Sequence, residues 1–212
     1  NKMSKLRVVH YINQFFANVG GEEMADFQPE LREGFVGPGM AFNAAFKDDA
    51  EIVATVVCGV SYFNENLEVA KKTVLDMIVS QKPDVVICGP AFNAGRYGVA
   101  CGSVAAAVKE ELNIPVLTGM YKENPGADMF KKQVYVVETK NSAVGMRGAV
   151  SAMAPLALKL ARNEEILSSK EEGYLPNGIR KNFFEDKIGA ERAVDMMTKK
   201  LNGKEFVTEF PM

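Results

Sequence analysis

The feature that most constrains the fold is a series of short apolar runs rich in Val and Ile. Each run has the length of a β-strand and contains few polar residues. The runs are "LRVVHYI" (6–12), "EIVATVVCG" (51–59), "DVVICG" (84–89), "IPVLTG" (114–119) and "QVYVVE" (133–138). Strands that are covered on both faces have this nearly continuous apolar pattern, whereas half-exposed strands alternate. The runs therefore predict a mostly parallel sheet of about five strands.

Segments with helical periodicity lie between or after these runs. They cover residues 66–81, 103–112, 143–162 and 188–202. Strands that alternate with amphipathic helices are typical of a sheet with helices on both faces. The sequence thus predicts an α/β fold, a three-layer α/β/α sandwich that is Rossmann-like or flavodoxin-like. The polar stretch 163–182 predicts a surface excursion or an arm.

The charge balance argues against a polyanionic partner. The chain has 25 basic and 27 acidic residues without a long block of either sign. Nucleic-acid or polybasic membrane binding would need clustered Lys and Arg. The apolar runs are also too short to span a bilayer. The sequence predicts a protein with no nucleic-acid partner and no membrane span.

The cysteines point away from a metal site. The three of them, Cys58, Cys88 and Cys101, are far apart and form no CxxC pair, and His10 is the one histidine. A structural zinc site needs four Cys or His ligands at close spacing. An odd number of thiols in apolar surroundings is typical of reduced cysteines in a cytoplasmic protein. We therefore expect no metal and a cytoplasmic location.

The loops that follow the predicted strands carry the candidate site. In an open parallel sheet, ligands bind outside the carboxyl ends of the strands. Each of the first four such loops contains an aromatic residue, and together they also carry acidic residues and an arginine. The residues predicted to bind substrate are Gly20, Gly21, Glu22, Glu23, Tyr62, Gly89, Phe92, Asn93, Gly95, Arg96, Tyr97 and Tyr121.

These residue types suit a small zwitterion. Aromatic faces and carboxylates attract an ammonium group, and a guanidinium next to a helix N-terminus attracts a carboxylate. An amino acid or a betaine is therefore the predicted ligand. The alternatives are that the aromatics cap the core, that the glycines only shape a turn, and that Arg96 bridges to a surface acid.

Other functional motifs are weak. "VGPGMAF" (36–42) lacks the third glycine and the preceding strand of a dinucleotide fingerprint, and the chain has no GxxxxGK[ST]. Cys58 and Cys88 follow strands but have apolar neighbours and no adjacent histidine to activate a thiol. Glu22 or Glu23 remains open as a general base. The residues predict a chain that holds a substrate rather than one that transforms it.

Six segments give a more specific indication. The segments are "VVHYINQFFANVGGEEMAD", "REGFVGPGMA", "EIVATVVCGVSYFNEN", "GPAFNAGRYGVACG", "GMYKENPGADMFKK" and "RAVDMMTKKLNGKEFVTEFPM". Together, from about Leu6 to Met212, they resemble the selenoprotein B subunit of the glycine, sarcosine and betaine reductases.

The resemblance implies an oxidoreductase of anaerobic amino-acid fermentation. Its component B is substrate-specific and cleaves the C–N bond of glycine, sarcosine or betaine reductively. The amine leaves, and a carboxymethyl selenoether is passed to selenoprotein A and ends as acetyl phosphate on component C. The resemblance also implies two reactive groups, a pyruvoyl group on a companion subunit and a selenocysteine nucleophile.

The family's selenocysteine motif has no counterpart here. In the family it lies in the carboxyl-terminal half of the subunit. The resemblance therefore implies that residues 3–205 are one amino-terminal domain, that 206–212 begin a linker, and that the chain alone is inactive. No selenocysteine chemistry is transferred to the three cysteines. The alternative is a non-catalytic docking scaffold for the carboxyl-terminal domain and the pyruvoyl subunit.

The choice among the three substrates stays open at this level. A quaternary ammonium cannot donate a hydrogen bond, so betaine would depend on an aromatic box of Phe15, Phe16, Tyr62 and Tyr97. Glycine would depend more on Glu22 or Glu23.

Overall fold

A computed structural model of the chain describes residues 4–177, and these form one six-stranded sheet in the order β2-β3-β1-β4-β5-β6. The strands are β1 Leu6–Ile12, β2 Glu30–Glu33, β3 Ala50–Val57, β4 Val85–Cys88, β5 Val116–Tyr121 and β6 Tyr135–Thr139. All five predicted runs form strands, and all five are parallel to their neighbours in this set. The sequence pattern did not reveal β2, a short polar edge strand that runs antiparallel to β3.

Seven α-helices are present in the described part of the chain. They are α1 Gly39–Phe46, α2 Val60–Glu65, α3 Leu67–Ser80, α4 Gly95–Ala107, α5 Pro125–Phe130, α6 Met146–Ala161 and α7 Ser169–Glu172. A π-helical turn, Val108–Leu112, continues α4. The predicted helices at 66–81, 103–112 and 143–162 are thus found, with α4 starting earlier than its segment. The predictions for 188–202 and 206–212 lie outside the described residues.

The apolar side chains of each strand alternate between two separate core layers. Val9 and Tyr11 of β1 pack with α2, α3 and α4 on one face of the sheet. Val8 of the same strand packs with α1 and α6 on the opposite face, as do Ile87 of β4 and Leu117 of β5. Because successive side chains of a strand point to opposite faces, this is a three-layer α/β/α sandwich, as predicted.

The strand order places a crevice at one edge of the sheet. The parallel strands, numbered among themselves, run 2-1-3-4-5, which is the flavodoxin-like order. The chain leaves β1 for β3 on one side and then returns to β4 on the other. Connections that diverge from neighbouring strands leave a gap between their loops, here at the carboxyl ends of β1 and β4.

The polar stretch after α6 returns to the sheet. Tyr174 bridges to Val137 of β6, and the Leu175 N–H donates to the Val136 carbonyl over 2.8 Å. Lys159 and Glu172 form an ion pair of 2.6 Å that ties α7 to α6. Up to residue 177 this stretch is therefore a surface excursion that covers the free edge of β6, which would otherwise expose unpaired backbone groups.

Within residues 4–177, no helix combines the length and hydropathy needed to cross a membrane. The same part of the chain contains no group of three or more His, Cys, Asp or Glu side chains that could hold a metal ion.

Candidate functional site

An open cavity of about 460 Å³ lies at the crevice between the carboxyl ends of β1 and β4. Loops that follow β1, β3, β4 and β6 form its walls. Seven of the predicted site residues line it, namely Gly21, Glu22, Phe92, Asn93, Gly95, Arg96 and Tyr97. The structure thus brings the glycine–glutamate segment and the Phe-Asn-Ala-Gly turn, which are distant in sequence, to one place.

Five predicted residues do not line the cavity. Gly20 and Glu23 flank the lining segment, and the Glu23 carboxylate accepts a hydrogen bond from the Gly21 N–H. Tyr62 lies in α2, is half-buried and packs against the core, and Gly89 is buried directly after β4. The Tyr121 N–H donates to the Phe92 carbonyl over 2.8 Å, so this residue supports the lining loop from behind.

An ion pair at the rim joins two of the predicted residues. The Arg96 guanidinium contacts a Glu22 carboxylate oxygen at 2.6 Å and also donates to the Ser61 hydroxyl over 2.6 Å. Both side chains are exposed, so the pair contributes little to stability. Its effect on the site is to place one positive and one negative group side by side at the cavity mouth.

Aromatic rings form one side of the cavity. The ring of Phe16 lies 6.3 Å from that of Phe92 and 5.9 Å from that of Tyr97, measured between centroids. Phe15 packs edge-on against Phe16 and is 59% exposed. Burial raises the pKa of the Tyr97 hydroxyl, which faces the Asn13 backbone and the Cys101 thiol without a hydrogen bond of good geometry. This side is apolar and un-ionised at neutral pH.

Helix α4 starts directly at the cavity, and its glycines let it pack closely against α5 there. A side chain at Gly98 would collide with Asn124, and one at Gly102 would collide with Phe130. Glycine therefore lets α4 approach α5 closely. Asn124 is buried; its amide donates to the carbonyls of Phe92 (2.9 Å) and Ala94 (3.1 Å) while its oxygen caps α5. The turn before α4 is thereby fixed.

Several lining residues were missed by the sequence reasoning. Asn13 and Gln14 follow β1 directly, and Asn141, Ser142 and Ala143 follow β6. Gln14 links two walls, because its amide donates to the Gly21 carbonyl over 3.2 Å and its oxygen accepts from the Val60 N–H over 3.3 Å. Their position just after a buried strand was an available signal, since carboxyl ends of parallel strands share one edge.

The candidate nucleophiles of the described residues are buried away from the cavity. Burial raises the pKa of Cys58 to about 12 and raises the thiol pKa values of Cys88 and Cys101 as well. His10 is fully buried; burial lowers its pKa to about 4, and its Nε2–H donates to the Gly89 carbonyl over 2.6 Å. Within the described part of the chain the cavity lining contains no Cys, His or Lys. The arrangement can bind and orient a polar molecule but offers no activated nucleophile.

A protein-family model described as glycine/sarcosine/betaine reductase selenoprotein B matches residues 5–212. The chain belongs to this family. The resemblance read from the six sequence segments is thereby confirmed. No solved structure shows a significant match to the chain.

Three curated relatives illustrate the range of the family. A glycine reductase complex component B subunit gamma from Carboxydothermus hydrogenoformans is 58% identical over 210 residues, which is 99% of this chain and 48% of the relative. A sarcosine reductase complex component B subunit beta from Peptoclostridium acidaminophilum is 57% identical over 210 residues, with the same coverage. A betaine reductase complex component B subunit beta from that organism is 43% identical over 208 residues, covering 97% of this chain and 47% of the relative. The chain spans about half the length of the curated relatives it matches.

Proposed function

We propose that this chain provides the substrate pocket of component B of a reductase that cleaves the C–N bond of a small zwitterionic amine. One observation carries the proposal. The cavity joins an acid–base pair, aromatic rings and a helix N-terminus in a space of about 460 Å³. Those are the groups that recognise an ammonium and a carboxylate held a few bonds apart. The names of the relatives, which include glycine, sarcosine and betaine reductases, support the same substrate class.

The two ends of the substrate face different walls in this proposal. The ammonium group lies toward Glu22 and the rings of Phe15 and Phe16, where charge attraction and cation–π contact both act on it. The carboxylate lies toward Arg96 and the N-terminus of α4. Gly21, Asn93 and Gly95 leave room for the substrate beside the backbone.

The chemistry itself is supplied by other groups in this proposal. The selenocysteine implied by the family name provides the nucleophile, and a pyruvoyl group on a companion subunit engages the amine. The residues of this chain bind the substrate and limit its access to water. Selenoprotein A and the pyruvoyl-bearing subunit are the proposed protein partners, and the proposed location is the cytoplasm.

Sequence identity favours an amine that still carries N–H bonds. Identity to the glycine and sarcosine relatives is 58% and 57%, against 43% for the betaine relative. We therefore propose glycine or sarcosine ahead of betaine. The pairing of Glu22 with Arg96 at the rim agrees with this order, because a carboxylate can accept hydrogen bonds from a primary or secondary ammonium group.

Calorimetric titration of the full-length subunit with glycine, sarcosine and betaine tests the proposal. Arg96→Ala should weaken binding about tenfold, because it removes the positive charge toward which the substrate carboxylate lies in this proposal. Arg162→Ala is the matched control, since Arg162 forms a similar exposed ion pair with Asp49 (3.3 Å) and does not line the cavity. Flat heats with all three compounds, or equal losses in both variants, would contradict the proposal.

A docking scaffold is a second candidate function, and exposed apolar residues at the rim favour it. Phe15, which lines the cavity, is 59% exposed, and Val144, which follows the lining residue Ala143, is 90% exposed. Apolar side chains around a pocket mouth are typical of a surface that another polypeptide covers. The proposed occupant is the remaining half of the subunit, since the relatives are about twice as long as this chain. The two functions are compatible if the pocket lies at that interface.

A further inference from the structure

We infer that Asn13 is a substrate-binding residue that, together with the first turn of α4, holds the carboxylate of the zwitterion. The inference rests on the proposed function and deepens it, because it assigns donors to one end of the substrate. Asn13 is the first residue after β1, at the crevice between the diverging connections.

The side chain of Asn13 is oriented by one hydrogen bond. Its Oδ1 accepts from the Phe16 N–H over 2.9 Å. Because that partner can only donate, the oxygen must face it and the amide nitrogen must point the other way.

The amide nitrogen of Asn13 has no partner. No acceptor for Nδ2 exists among residues 4–177, although the residue is only 6% exposed. The nitrogen also keeps some accessible surface, because it is not one of the fully buried polar atoms that lack a partner. Asn13 lines the cavity. The two N–H groups of this nearly buried amide therefore have no hydrogen-bond acceptor at the cavity. This is unusual, because buried donors are normally paired.

The first turn of α4 adds backbone donors at the same wall. The helix is 13 residues long, and the side chain of its N-cap, Ala94, cannot accept a hydrogen bond. The N–H groups of Gly95, Arg96 and Tyr97 have no acceptor in the described part of the chain, and all three residues line the cavity. Such a helix end carries a partial positive charge.

This set of groups selects an anion. The amide nitrogen and the helix N–H groups are donors, and the one oxygen of Asn13 is already used. An ammonium group, which can only donate, would not pair with these donors. The charge of Arg96 is shared with Glu22 and Ser61 at the rim, so the donors of Asn13 and α4 are the ones left without a partner. The rings of Phe16 and Phe92 add apolar surface to the same cavity, and apolar surroundings strengthen hydrogen bonds to a carboxylate.

Asn13→Asp in the full-length subunit, assembled with its companion subunits, is the decisive variant. It keeps the oxygen that accepts from Phe16 and replaces the donor with a negative charge. Asn43→Asp is the matched control, because Asn43 Oδ1 also accepts a backbone N–H, from Ile52 over 2.8 Å, outside the cavity. The probes are acetate, a carboxylate without the amine, and methylamine, an amine without the carboxylate, each titrated as a competitor of glycine or sarcosine.

We expect Asn13→Asp to lower the affinity for both acetate and the zwitterion at least about tenfold and to leave the affinity for methylamine unchanged. The Asn43→Asp protein should match the wild type. Gly95→Pro is an uncharged second variant that removes one helix donor. Proline suits the first position of a helix, and Ala94 already has the extended backbone (φ −80°, ψ 108°) that precedes proline. The Gly95→Pro variant should bind acetate about threefold or more weakly than the wild type.

Two results would overturn the inference while the proposed function stands. In the first, Asn13→Asp binds acetate with the affinity of the wild type. In the second, its affinities for acetate and for methylamine fall to the same extent. If the wild type binds neither the zwitterions nor acetate, the proposed function and the inference fail together. Thermal melting of each variant separates these results from misfolding, and the Gly95→Pro protein decides the case if Asn13→Asp does not fold.

Discussion

The imidazole of His10 is a base without access to solvent. It packs edge-on against Phe42 of α1, and its Nδ1 has no partner among the described residues. Burial lowers its pKa from 6.5 to about 4, although the hydrogen bond to the Gly89 carbonyl acts in the opposite direction. The histidine therefore contributes to the pH dependence of stability and not to catalysis.

We predict that the free energy of unfolding falls as the pH is lowered from 6.5 to 4, in part because of His10. In that window the unfolded chain binds a proton that the folded chain excludes, so protonation favours unfolding by up to about 3 kcal/mol. Melting curves of the wild type and His10→Gln across this range measure the effect. The variant should show the flatter dependence, because carboxylates titrate equally in both proteins; parallel curves would refute the assignment.

At the level of residues, the sequence predicted the charged pair and the turn before α4 at the cavity, but it did not predict the polar residues that directly follow β1. Glu22 and Arg96 could be predicted because both lie in loops after strands of the same parallel sheet. Asn13 has the same position, but an asparagine after a strand usually only forms a turn. What distinguishes it is an unused amide nitrogen, and that depends on the Phe16 backbone rather than on sequence spacing.

Among the elements, the contact between α4 and α5 positions the site most directly. Gly98 lies where the two helices meet, and an added Cβ would overlap Asn124, the residue that fixes the Phe92–Ala94 turn. The fit at this contact therefore determines the shape of one cavity wall.

We predict that Gly98→Ala lowers the free energy of unfolding by about 1–3 kcal/mol, because it overpacks a rigid contact. Gly148→Ala in α6 is a control with the opposite sign: no atom lies within 4 Å of its added Cβ. There alanine should raise stability by about 0.5–1 kcal/mol through helix propensity. Chemical denaturation of both variants measures the difference. Equal effects would show that α4 and α5 do not meet as described.

Element prediction succeeded where a segment had a clear period and failed where it had none. Helix α3 could be read from the spacing of its apolar residues, which are buried along one face. Strand β2 has the sequence Glu-Leu-Arg-Glu and lies half-exposed at an edge, so neither alternation nor apolar content marks it. Helix α4 begins with Gly and Arg rather than a capping residue, and tertiary contacts with α5 establish its start.

At the scale of the whole molecule, the exposed apolar residues around the cavity predict an interface. We expect Val144→Asp to weaken association with the rest of the component B complex at least about tenfold, because a charge would be desolvated there. Val69→Asp is the control, since Val69 is also exposed (62%) but lies on α3, whereas Val144 directly follows the lining residue Ala143. Co-purification and sedimentation of the full complex provide the measurement. Equal behaviour of the two variants would argue against an interface at this rim.

The fold class followed from the sequence, whereas the strand order did not. Continuous apolar runs establish that a sheet is covered on both faces, but any permutation of the five parallel strands would give the same runs. The observed order depends on which connection crosses which face of the sheet. For example, β3 lies on one side of β1, and the next strand along the chain, β4, lies on the other side.

The cavity draws its walls from separate connections after β1, β3, β4 and β6, all anchored to one sheet. Loops on such a scaffold tolerate replacement better than the strands beneath them. Under the proposed function, exchanging only the exposed residues 141–143 would change substrate preference at one wall and leave the turn held by Asn124 intact. Exchange of such short segments would then adapt the same frame to different small amines, with no redesign of its interior.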